Sequence, residues 1–112
     1  MLDLTKKLVD SKGKMVPTFD MSLADMLCLQ IDTANREEIP GEDLSRFWNI
    51  SKKIGENGNV LLDEDESKKI FDFLTRNKRM PLFVSAQLLE AITDYRLKLL
   101  AEKASPKKTE QA

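Results

Sequence analysis

Residues able to do chemistry are densest between Asp63 and Arg79 of this 112-residue chain. Four acids open the stretch (Asp63, Glu64, Asp65, Glu66) and Arg76, Lys78 and Arg79 close it. Four adjacent carboxylates could hold a cation, but a calcium loop needs acids at alternate positions around a central glycine. Counting from Lys53 puts Gly58 at the sixth position, yet Lys53 and Gly55 then occupy the first and third, where acids belong. The other reading is helix capping. Asp63 serves as N-cap, Glu66 completes a capping box, and the acids face the positive end of the helix dipole. The bases at the far end answer the negative end in the same way. From Ser67 to Arg79 there are still five bases and one acid, enough to attract a phosphate or an acidic partner.

Catalytic chemistry finds little support. The chain has no histidine, which removes the usual general base at neutral pH and the commonest metal ligand. Its single cysteine, Cys28, lies in Met26-Leu27-Cys28-Leu29, where a thiol reads as a small buried hydrophobe. One cysteine makes neither an internal disulfide nor a structural zinc site. The serines lack a base partner, and Gly55 and Gly58 are not followed by the Lys-Ser/Thr of a phosphate-binding loop. We therefore expect no enzyme, cofactor, metal or small-molecule substrate.

The elements that position these residues read as mainly α with a minor β part: an N-terminal hairpin and about four helices in a compact bundle. One globular domain is expected over 1–103 and a disordered tail over 104–112, where almost nothing can be buried. In 1–16, Leu8-Val9 and Met15-Val16 flank the polar loop Asp10-Ser11-Lys12-Gly13-Lys14, which suits a β-hairpin; a helical turn over 2–9 is the competitor. The first helix, 22–35, starts at Ser22 with Asp25 three residues on and Met21 and Met26 placed as a staple. Its stripe is Leu23, Met26, Leu27 and Ile31, widened by Cys28 and Leu29. The second, 42–54, carries Leu44, Phe47, Trp48, Ser51 and Ile54, with Gly55 as its C-cap and Phe47 and Trp48 in the core. Val60-Leu61-Leu62 is extended and can pair with the N-terminal segment. The third and fourth helices span 64–77 and 82–103. The fourth has a core stripe of Val84, Leu88, Ala91, Ile92, Tyr95 and Leu99.

That last helix has more apolar residues than one stripe needs. Leu82, Phe83, Leu89, Leu97 and Leu100 lie beside or off it, and an uncovered apolar helix edge suits a partner groove or a second copy. With the bases before them, the candidate interaction surface is Arg76, Lys78, Arg79, Leu82, Phe83, Leu89 and Leu97. The net charge of −1 gives no global attraction to nucleic acid or anionic membrane. A nucleic-acid reading needs the local patch Lys68, Lys69, Arg76, Lys78 and Arg79. The closely spaced third and fourth helices invite comparison with helix-turn-helix proteins. The fourth, however, begins Leu82-Phe83-Val84, with only Ser85 and Gln87 fit to read a base edge. No signal peptide or membrane-length apolar run is visible, so a cytoplasmic location is expected.

The order of the hairpin (Leu8-Val9-Asp10…Gly13-Lys14), Ser22-Leu23-Ala24-Asp25, Val60-Leu61-Leu62-Asp63-Glu64 and Ala86-Gln87-Leu88-Leu89-Glu90-Ala91 resembles small uncharacterised proteins of tailed bacteriophages. The resemblance implies a viral accessory or assembly role and brings no catalytic or binding residues with it. The sequence as a whole points to a non-catalytic module that binds another protein or itself.

Overall fold

The computed structural model describes residues 1–35 and 37–104; of the tail expected over 104–112, Ala104 is helical and the rest lies outside the described residues. Its elements in chain order are β1 (Leu2–Asp3), a 3₁₀ turn (Pro17–Phe19), α1 (Leu23–Asp32), a second 3₁₀ turn (Gly41–Asp43), α2 (Leu44–Asn57), β2 (Asn59–Val60), α3 (Glu64–Arg76) and α4 (Leu82–Ala104). The fold is mainly α, with one short two-stranded antiparallel sheet.

That sheet is not the expected hairpin. β1 pairs with β2, Leu2 opposite Val60 and Asp3 opposite Asn59. The loop itself forms as read: Gly13 takes φ 79° and the Asp10 carboxylate accepts from the Lys12 and Lys14 amides at 2.8 and 3.0 Å. Only Val9 and Met15 bridge across it. Two causes prevent longer arms. Pro17 starts a 3₁₀ turn directly after Val16, so the second arm has no length. The first arm directs its hydrogen bonds elsewhere, with Leu4 N–H to Gly58, Leu8 N–H to Met21, and the Lys6 and Leu4 carbonyls accepting from Leu23 and Ala24. Leu2, Leu4 and Leu8 are all buried, so the segment plugs the helices rather than folding on itself.

Helix α1 begins as expected, with the Ser22 hydroxyl accepting the Asp25 amide at 3.1 Å. It ends at Asp32, short of residue 35, as the Thr33 hydroxyl donates to the Leu29 carbonyl at 2.6 Å. Leu23, Met26, Leu27 and Ile31 are buried, whereas Leu29 is 44% exposed and does not widen the stripe. Helix α2 overruns its expected stop. Gly55 lies inside the helix, 3.8 Å from the Cys28 sulfur if given a Cβ, and Gly58 is the left-handed C-cap at φ 81°. A Cβ at Gly55 would make only an ordinary van der Waals contact, whereas the left-handed backbone requires glycine at Gly58. Gly58→Ala is expected to lower stability by about 1–2 kcal/mol, through the positive φ and a 3.0 Å clash with the Thr5 methyl. Gly55→Ala is expected to raise it by about 0.5–1 kcal/mol. Urea midpoints of the two variants check both; equal shifts would contradict this assignment of caps.

The helices pack as two close pairs, α1 with α2 and α3 with α4. Phe47 and Phe73 join the pairs through a buried ring contact at 5.6 Å. Ion pairs bridge the same boundary: Asp43–Lys69 at 3.0 Å, Arg46–Asp65 at 3.0 Å with Asp63 also 3.8 Å from Arg46, and Lys53–Glu66 at 3.2 Å. The N-terminal segment and β2 close the core against α4. Tyr95 of α4 donates its hydroxyl to the Leu62 carbonyl at 2.6 Å and accepts the Leu62 amide at 2.9 Å.

Candidate interaction surface

The acids that open α3 act as caps. Asp63 accepts the Glu66 amide at 2.7 Å, and Glu66 accepts the Asp63 amide at 3.0 Å, a complete capping box. Among the described residues no group of acids, cysteines or histidines is arranged to hold a metal ion.

The bases are drawn inward to a degree their positions in the chain did not reveal. Arg79 grips the Glu38 carboxylate through Nε at 3.1 Å and Nη2 at 3.4 Å, and Arg76 donates to the Glu38 carbonyl at 3.4 Å. Lys69 pairs with Asp43, and Lys68 pairs with Asp72 one turn along. Lys78 is exposed and forms no ion pair among the described residues. Four of the five bases that a phosphate-binding patch would use therefore already face oxygens of the chain. The corner Arg76–Arg79 works chiefly as a clamp on the link between α1 and α2, whose Ile39 is buried beside Glu38. This pairing spans 41 positions, and no local pattern signals it.

Burial pushes the Glu38 carboxyl up. Hydrogen bonds from the Asn35 amide and Arg79, with the guanidinium charge, outweigh it and hold the group below the ordinary glutamate range. A depressed folded pKa stabilises the protein above the unfolded value, and that stability is lost as pH falls through the folded one. Acid unfolding of Glu38→Gln is expected to depend less steeply on pH below 5 than that of the native protein. Parallel titrations of tryptophan emission would show it; superimposable curves would refute it.

The apolar part of the candidate surface divides. Leu82 is 85% exposed and Leu97 59%. Phe83 is half-buried, its ring edge-to-face with Phe19 at 5.3 Å, and Leu89 is half-buried against the core. On α4, at 100° per residue, Leu82, Ala86, Leu89, Thr93, Leu97 and Leu100 fall within a sector of about 80°. Val84, Leu88, Ile92 and Tyr95 are buried on the opposite side. Helix α4 thus carries two apolar faces, one in the core and one outward. Arg96 flanks the outer face, its guanidinium 5.3 Å from the Phe71 ring of α3. The other flank is a cleft of about 510 Å³ between α4 and the N-terminal segment. Gln87 ties the two walls, donating to the Val9 carbonyl at 2.7 Å and accepting its amide at 3.1 Å.

Trp48 contradicts the core assignment. It is 57% exposed on α2, while Phe47 is buried. Phe47, Ile50, Ser51 and Ile54 fill the buried face, and Trp48 lies at its edge. The pattern of apolar residues alone did not distinguish the two neighbours. Cys28 is half-buried; its thiol donates to the Ser51 carbonyl at 3.3 Å, and burial pushes its pKa up.

No protein-family model, curated protein or solved structure matches this chain. The geometry of α4 must carry the functional reading without a relative. No helix of the described residues is long and apolar enough to cross a membrane.

Proposed function

We propose that the protein is a non-catalytic interaction module that binds a protein partner through the outer face of α4. The observation that carries this reading is the second apolar stripe, with Leu82 and Leu97 largely in solvent although the same helix already contributes a full core face. A folded surface rarely leaves large aliphatic side chains aligned along one helix unless something covers them. A role as a phage-encoded accessory or assembly protein in the host cytoplasm fits such a module, and the resemblance noted in the sequence supports it.

The test is affinity capture from the producing cells with the full chain and two variants. A partner captured by the native protein is expected to be lost with Leu97→Asp and kept with Leu29→Asp, whose side chain is exposed on α1. Capture that survives Leu97→Asp, or that Leu29→Asp abolishes equally, would place the contact elsewhere. A nucleic-acid role has less support, since Lys68, Lys69, Arg76 and Arg79 are held by intramolecular oxygens.

A further inference from the structure

We draw no further inference here: the strongest candidate, the outer apolar face of α4 with the cleft beside it, whose rim sets Asp3, Glu90 and Asp94 among Lys6, Lys7 and Lys98, carries nothing beyond the docking role already proposed, because nothing in the structure shows what covers it.

Discussion

Tyr95→Phe is expected to destabilise the protein by about 2–4 kcal/mol, although it removes one oxygen atom and no packing volume. The hydroxyl satisfies both backbone groups of Leu62, accepting the amide at 2.9 Å and donating to the carbonyl at 2.6 Å. Both residues are buried, so water cannot readily replace it. An unsatisfied buried donor or acceptor costs about 1–3 kcal/mol, and here there is one of each. The bond also fixes α4 to the connection between β2 and α3. Urea unfolding followed by circular dichroism measures the loss. A change below about 0.5 kcal/mol, with the slope unaltered, would show that Leu62 finds other partners.

Phe73→Ala is expected to cost more, about 3–5 kcal/mol. Its ring is fully buried and meets Phe47 at 5.6 Å with the planes tilted by 56°. The contact sits where the α1–α2 pair meets the α3–α4 pair, a boundary also bridged by the ion pairs of Lys69, Arg46 and Lys53. Partly exposed ion pairs contribute little, about 0–1 kcal/mol each, so the buried apolar side chains, these two rings among them, supply most of the cohesion there. A double-mutant cycle with Phe47→Ala is expected to give a coupling of about 0.5–1.5 kcal/mol. Strict additivity would mean that the rings act independently and that the boundary is held by something else.

These residues show what was legible in the sequence and what was not. Ser22 and Asp63 announced the starts of α1 and α3, because a cap and its amide lie three residues apart and the chemistry is local. The apolar period of α4 separated its core stripe from the surplus leucines for the same reason. What escaped was everything set by distant pairing. Leu2 and Leu4 alternate as a strand does, but their alternation does not say that Asn59 and Val60 are the partners. Gly55 and Gly58 look alike in the chain. The left-handed turn at Gly58 and the close Thr5 methyl tell them apart. Arg79 looked available for a ligand because Glu38 was remote in number, and Trp48 looked interior because Phe47 beside it was. The surface on α4 was read from its leucines, whereas the cleft beside it, which brings Glu90, Asp94 and Lys98 next to Asp3, Lys6 and Lys7, depends on where the N-terminal segment docks.

The pairing of β1 with β2 also sets the order in which the chain can acquire its structure. During synthesis Leu2 and Asp3 emerge well ahead of Asn59 and Val60, and neither strand has a partner until the second pair follows. The Leu62 backbone then waits for Tyr95, which follows a further turn of the chain through α3. The α1–α2 pair can assemble early, because its contacts are local and quick to close. The Leu2–Leu8 segment can therefore dock on α1 and β2 once Val60 has emerged, and its contacts with α4 are the last to close.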